Sequence, residues 1–324
     1  MTTILHQEDK LPAVDICLAT YNGAPFLEAQ LASLWAQRDQ DFRILARDDG
    51  SSDGTQAILA AQAKAFPGRF VIVTSPSNGG GARGNFAALL AATTAPYIAC
   101  CDQDDVWETD HLVVLRGAMA ELEVRNGRNV PLLVHSDLRV VDADLHQINP
   151  SLWNFQHLDP SRTRLAPLLL QNVVTGCAML ANRACVQCSL PIPSECMMHD
   201  WWMTLVCAAF GALAATPEAT VLYRQHRGNA LGAQRRIDLH AYWCRLREGE
   251  LGEAGFRASY RPNLAQGRAF FARFSGKLSS EAAGTVTAFT ALETASWWRR
   301  RWLVVRYGFW RIGALRNLVW WLRV

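Results

Sequence analysis

Between Asp102 and Asp110 the chain places five acids in nine positions: Asp102, Asp104, Asp105, Glu108 and Asp110. The run follows the apolar segment Pro96–Cys101 directly. Carboxylates this close repel one another unless something positive lies between them. The Asp102-x-Asp104 pair suits a hard divalent ion that bridges phosphate oxygens. The competing reading is that Asp105 caps a helix and the other acids are solvated turn residues.

Three more polar loops share this arrangement, each at the end of an apolar run: Thr20-Tyr21-Asn22-Gly23, Asp48 to Gly54, and Asn78 to Asn85. Asp49 can accept a hydrogen bond from a base edge or a ribose. Asn78 to Asn85 can cradle phosphate, with Arg83 as its cation. The chain has no G-x-x-x-x-G-K-[ST], and no G-x-G-x-x-G after its first strand, so neither a P-loop nor a dinucleotide site is supported. Further on, Asp200 opens an amphipathic run containing Trp202, Leu205, Val206 and Ala209. It reads either as a helix cap or as a carboxylate base. His135-Ser136-Asp137 follows the apolar Leu132–Val134 and reads as a pocket wall or a plain turn.

The elements that must position these residues alternate. Val14–Ala19, Arg43–Ala46, Phe70–Val73 and Tyr97–Cys101 read as strands. Helices are expected from Pro25, over Thr55–Phe66, from about Arg83 to Ala92, and over Thr109–Val124. Strand–helix alternation predicts an α/β fold with a mostly parallel central sheet flanked by helices. Ligands of such sheets bind beyond the carboxyl ends of the strands, and the four loops lie there.

These four loops resemble those of family 2 glycosyltransferases, which are inverting enzymes of the GT-A fold. The run Asp102-Gln103-Asp104-Asp105-Val106-Trp107 resembles the rhamnosyltransferase-type subgroup of bacterial surface polysaccharide assembly. The resemblance covers roughly residues 12–232. It implies that Thr20, Tyr21, Asn22 and Asp49 hold the nucleotide, that Arg83 lies near phosphate, and that Asp102 is the nucleotide-side acid. It makes Asp104 a ligand of a divalent cation, Mg²⁺ or Mn²⁺. Gln103 stands where many relatives have a small residue and is expected to reach the sugar or ribose. Asp200 becomes the catalytic base, with His199 beside it to bind substrate or tune it. Trp201, Trp202, His135 and Asp137 are acceptor-side candidates, and Asn172 to Met179 resembles the acceptor-side loop that leads into a strand. Tyr223 to Asn229 resembles a segment that closes over the donor phosphates, with His226 as a further metal ligand; the alternative is a solvated basic loop. The implied reaction moves a sugar, L-rhamnose from dTDP-L-rhamnose by subgroup, to a hydroxyl of a saccharide or lipid-linked acceptor. A sugar nucleotidyltransferase and a non-catalytic carbohydrate-binding protein are the rival readings. The first would carry a basic loop after strand one, and the second would need neither Asp104 nor Asp200.

Composition sets the remaining bounds. The 324 residues carry a formal charge of +3, so nothing points to a polyanion partner. Nine cysteines, an odd number with Cys100 and Cys101 adjacent, point to free thiols in a reducing compartment. Cys185-x-x-Cys188 with Cys177 and Cys196 is irregular for zinc. The first residues show no signal-peptide core, and no stretch reaches a membrane span, so a cytoplasmic protein is expected. Residues 1–232 are read as the catalytic domain and 233–324 as a helical extension. From Trp297 to Val324 that extension holds seven arginines, six tryptophans and no acid. Such a mixture suits the headgroup zone of a membrane, giving a peripheral location on the inner face. Nucleic acid is not expected as a partner. The competing reading is a helix pair packed on the domain.

Overall fold

The computed structural model describes residues 12–74, 80–226 and 253–324. Asn78 and Gly79 of the glycine loop, Arg227, Gly228 and Asn229 of the basic loop, and the expected boundary at 232/233 lie outside the described residues.

The first half of the chain builds a parallel sheet in the order β3-β2-β1-β4. Its strands are β1 (Val14–Thr20), β2 (Phe42–Asp48), β3 (Phe70–Ile72) and β4 (Tyr97–Asp102). The crossovers are α1 (Ala24–Trp35), α2 (Thr55–Ala65) and α3 (Gly81–Ala92). All seven residues of β1 are buried. Ile16 and Leu18 join Leu27, Leu31, Leu112 and Leu115 in one apolar cluster, while Cys17 and Ala19 join Phe86 and Val206 in another. A strand covered on both faces is mostly apolar; the charged exception in β1, Asp15, is paired with Arg43 and accepts the Thr94 and Ala95 N–H groups.

The second half makes the sheet mixed. A short β5 (Val106–Trp107) precedes α4 (His111–Asn126), and β6 (Leu132–Val141), β7 (Gln147–Asn149), β8 (Met179–Asn182) and β9 (Ala212–Arg224) follow. β8 runs antiparallel to both β4 and β6, β6 is parallel to β9, and β5 is antiparallel to β9. Asp105 does not cap α4: Asp110 occupies that position, and Asp105 is buried at the sheet end.

Beyond β6 lie α5 (Leu152–Gln156), α6 (Leu165–Leu170), α7 (Arg183–Ser189) and α8 (His199–Phe210). The C-terminal helices span Glu253–Phe274, Ser280–Thr290, Trp297–Tyr307 and Ala314–Arg323. Their inner side chains Tyr260, Leu264, Phe270, Phe289, Val304, Phe309, Trp320 and Val324 share one cluster with Leu168, Trp202 and Val206. Asn263 donates to the Leu169 and Leu170 carbonyls, satisfying the end of α6. Much of the aromatic tail is therefore core, as the packed-helix reading expects. No helix among the described residues is long and apolar enough to cross a membrane.

Candidate active site

Parallel pairing brings the loops together. Thr20 pairs with Asp48 and Ala19 with Asp102, so β1, β2 and β4 end at one level. The loops after them are then cross-linked. The Asp49 N–H donates to the Thr20 carbonyl at 2.9 Å. The Asn22 N–H donates to Ser51 Oγ at 2.7 Å, and Asn22 Oδ1 accepts the Ser52 N–H at 2.9 Å. Asn22 holds φ 47°, a left-handed conformation that Asn tolerates better than most residues. Burial alone would raise the Asp48 carboxyl, but hydrogen bonds from Ser51, Gln56 and Thr20 pull it below the usual range. Asp48 thus staples the loop and is not offered to a ligand.

Asp49 is anchored differently. Arg47 NH1 lies 3.2 Å from Asp49 Oδ1, with both side chains almost wholly buried. The Gly81 N–H donates to Asp49 Oδ2 at 3.1 Å. Arg47 NH1 also donates to Asn85 Oδ1, and Asn85 Nδ2 donates to the Thr20 and Arg47 carbonyls. Arg47 and Asn85 therefore set the position of Asp49. Arg47 was legible only as a charge near the end of β2. Arg83 leans elsewhere: its NH1 donates to the carbonyls of Ser194 at 2.5 Å and Cys196 at 3.0 Å, tying α3 to the loop before Asp200.

Gln103 makes a reciprocal pair with the backbone of Tyr21. Its Oε1 accepts the Tyr21 N–H and its Nε2 donates to the Tyr21 carbonyl, both at 2.8 Å. A Cβ on Gly23 would fall 2.0 Å from Gln103 Oε1, so only glycine leaves room for this clamp. The Tyr21 ring remains 58 % exposed above it. Gln103, expected to reach sugar or ribose, has its amide engaged at both ends in holding Tyr21. Gln103→Ala is accordingly expected to raise the donor KM roughly three- to tenfold, the low end for two lost hydrogen bonds near solvent, with kcat little changed. Gln103→Glu, which keeps only the acceptor, should lie between. Steady-state kinetics with varied donor checks both, and a kcat loss with unaltered KM would contradict the clamp.

The acid cluster closes against the last strand. Pairing of β5 with β9, Val106 to Leu222, carries residues more than a hundred positions apart to one place. Arg224 Nε donates to the Asp104 carbonyl at 2.7 Å and the Arg224 N–H to Asp105 Oδ1 at 3.1 Å. His226 Nε2 stands 2.8 Å from Asp104 Oδ2, and its ring packs on Phe26 with centroids 4.4 Å apart. Ligand atoms of Asp102, Asp105 and Cys177 all lie within 4.8 Å of one another. Burial pushes the Asp102 and Asp105 carboxyls up, and the neighbouring Asp104 charge pushes them further. Asp105 Oδ2 is buried without a hydrogen-bond partner among the described residues. Carboxylates crowded and desolvated in this way, with an imidazole facing them, fit a hard divalent cation.

Asp200 lies in the first turn of α8, whose N-cap is Met198, so it does not itself cap the helix. Oδ1 accepts the Trp201 N–H at 2.7 Å and Oδ2 accepts Asn172 Nδ2 at 3.2 Å. Burial raises its pKa to about 6, against the pull of the Trp201 N–H, the Asn172 amide and the Gly176 N–H. Its charge also raises the Asp102 carboxyl. Asn172 stood in a segment already singled out; its role as a carboxylate anchor required the fold. His199 is buried, stacks on Phe86 at 4.0 Å and has no hydrogen-bond partner among the described residues. Burial lowers it to about 3, so it stays neutral and serves by packing against Phe86.

The acceptor-side candidates do not converge. Trp201 is half-buried, its indole donating to the Leu168 carbonyl at 2.7 Å. Trp202 is fully buried, donating to the Ser189 carbonyl and packed edge-on against Phe270. It cannot touch an acceptor. Trp202→Ala should instead cost about 3–5 kcal/mol of stability, read as a lowered urea midpoint. His135 is buried beside Trp153, and burial lowers it to about 4. Asp137 Oδ1 accepts the Leu138 and Trp153 N–H groups, fixing α5 to β6. Both serve the fold where the structure places them. Cys185 turns into the core beside Cys207, with sulfurs 3.3 Å apart, while Cys177 lies with the acids.

The comparisons agree with this architecture. The model of "Glycosyl transferase family 2" matches residues 15–181, just over half the chain. The chain is 26 % identical over 241 residues to the dTDP-rhamnosyl transferase RfbG of Shigella flexneri, covering 71 % of this chain and 78 % of that one. It is 33 % identical over 154 residues to the succinoglycan biosynthesis protein ExoW of Rhizobium meliloti, covering 41 % and 48 %. Among solved structures it resembles S. aureus TarS 1-349 in complex with UDP, with TM-score 0.53, 13 % identity and coverage of 91 % and 88 %. It likewise resembles the mannosyltransferase PcManGT from Pyrobaculum calidifontis in complex with GDP-Man and Mn²⁺, with TM-score 0.51, 17 % identity and coverage of 95 % and 87 %. At these identities the structural likeness concerns the fold.

Proposed function

Since the chain belongs to glycosyl transferase family 2, we propose that it is an inverting enzyme moving L-rhamnose from dTDP-L-rhamnose to a hydroxyl of a saccharide or lipid-linked acceptor in bacterial surface polysaccharide assembly. Glycosyl transfer sets aside the nucleotidyltransferase and the non-catalytic binding protein. The rhamnosyl donor is supported by the likeness to RfbG across 71 % of the chain. The polysaccharide setting is supported by that protein and by ExoW. The observation that carries the reading is Asp200, a buried carboxylate held by Asn172 and the Trp201 N–H and near enough to Asp102 for its charge to raise that carboxyl.

In this mechanism the Tyr21 ring stacks on the base, and the buried Asp49 meets the nucleoside as an acceptor. Asp104 and His226 would hold a divalent cation, with Asp102 alongside toward the nucleotide. When bound, that ion brings positive charge to the diphosphate oxygens and stabilises the departing charge. Asp200 takes the proton of the acceptor hydroxyl as its oxygen bonds to the anomeric carbon. The bond from that carbon to the diphosphate oxygen breaks on the opposite face, and the nucleoside diphosphate leaves with the electron pair. Configuration inverts. Asn172 and the Trp201 N–H keep both carboxylate oxygens aimed during the transfer.

The test is incubation of purified protein with dTDP-rhamnose, UDP-sugars and GDP-sugars, Mg²⁺ or Mn²⁺, and a saccharide acceptor panel, with products read by mass spectrometry. A pentose or hexose adduct from another donor would replace rhamnose and leave the enzyme class intact. Anomeric retention, read by NMR, would overturn the role given to Asp200.

A further inference from the structure

The C-terminal tail is two-sided, and only one side is used by the fold. On the Trp297–Tyr307 helix, Leu303 and Val304 are buried in the core, and Arg300 and Arg301 are buried with them. Arg301 lies 3.4 Å over the Trp297 ring and donates to the Trp297 and Val324 carbonyls. These two cations are structural. The outer side carries Trp298, Trp302 and Val305, exposed by 76 %, 58 % and 60 %. Their spacing of four and three residues places them in one stripe, and the exposed Arg299 and Arg306, seven residues apart, form a row beside it, about 100° round the helix. The Ala314–Arg323 helix adds Leu318 and Leu322, four residues apart and both more than half exposed. No acid occurs from Trp297 to Val324.

Two large indoles held in water, flanked by guanidinium groups and with no carboxylate in their own segment, describe one kind of partner. We propose that this outer face docks on a bilayer surface bearing anionic headgroups. The indoles and leucines enter the interfacial zone while Arg299 and Arg306 meet lipid phosphate. A second copy of the chain would oppose arginine to arginine, with no acid in the segment to pair them. Arg300, Arg301 and Trp320 are buried in the fold, so the docking face is this stripe and not the tail as a whole.

The inference deepens the acceptor reading and rests on it: a lipid-linked acceptor would be met at this surface. The tail is tied to the base by short links. Arg162 donates to the Trp310 and Arg311 carbonyls at 2.6 and 3.1 Å, and Gln171 accepts the Ile312 N–H at 3.1 Å. The next residue, Asn172, holds Asp200. A surface that orients the tail therefore orients the acceptor-side segment.

Removing the tail would remove Phe309, Trp320 and Val324 from the core, so the test uses outer-face substitutions in the full chain. Vesicles of phosphatidylcholine with phosphatidylglycerol, and of phosphatidylcholine alone, are co-sedimented with wild type, Trp298→Ser/Trp302→Ser/Val305→Ser, and Arg299→Gln/Arg306→Gln. Each arginine near an anionic surface contributes about fivefold to partitioning. The double arginine variant should therefore lose about an order of magnitude, and high salt should reproduce much of that loss. The triple variant should lose at least tenfold. Both variants should keep the wild-type melting temperature and transfer to a water-soluble acceptor. Wild type that stays in the supernatant, variants that pellet like wild type, or a soluble dimer broken by the triple substitution would each overturn the surface. Inactivity with every donor, alongside intact anionic-vesicle binding, would instead strike the catalytic reading and leave the surface standing.

Discussion

Asp200→Asn lowers kcat by about 10²–10⁴-fold, the usual cost of losing a general base, while the donor Kd stays near wild type. The substitution keeps side-chain shape and an oxygen for the Trp201 N–H, but the amide cannot take a proton. Because Asp200 does not cap α8, little stability should be lost. The pH profile gives an independent readout. A base works only when ionised, so burial that raises Asp200 to about 6 means kcat falls tenfold per unit as pH drops below that value. It should level off above. The residual activity of the Asp200→Asn variant should lack this acid limb. A variant retaining half the wild-type kcat, or one keeping the same limb, would assign the base elsewhere.

Asp104→Ala should reduce transfer by about 10²–10³-fold or more, since it removes an ion-holding carboxylate from the point where leaving-group charge develops. Chelation of the wild type should match it, and Mn²⁺ or Mg²⁺ should restore the wild type but not the variant. His226→Ala should be milder, about 10–100-fold, and recoverable at high metal concentration. Manganese-dependent thermal shift supplies a readout separate from turnover: present in wild type, absent in Asp104→Ala. Protons and metal compete for carboxylates. With Asp102 and Asp105 already pushed up by burial and by the Asp104 charge, metal affinity should weaken as pH falls. Full activity in chelated wild type would sink the cation and leave the diphosphate to this chain's own side chains.

The four polar loops, the strands before them and the crossover helices were legible because they follow from local rules. A strand buried on both faces is mostly apolar, as β1 is apart from Asp15 and Thr20, and a parallel α/β sheet must present its loops at the carboxyl edge. Those rules suffice to place Thr20, Asp49 and Asp102 together, along with the acids next to them. They also suffice to find the amphipathic turn that carries Asp200. Tertiary structure decided what each polar group faces. Nothing local says that β5 pairs with β9, yet that pairing alone sets His226 2.8 Å from Asp104. Nothing local separates Trp201 from Trp202, adjacent indoles of which the helix turns one toward the core. Gln103 was read toward the ligand, but its amide is held by Tyr21, a partner 82 positions away. In the tail, the count of arginines and tryptophans marked no face. The face appears only once packing removes Arg300 and Arg301 inward and leaves Trp298, Trp302 and Val305 outside. Composition and period report which groups a segment carries; which of them meet water, and which meet each other, depends on contacts between residues far apart in the chain, and those are formed only when the sheet closes.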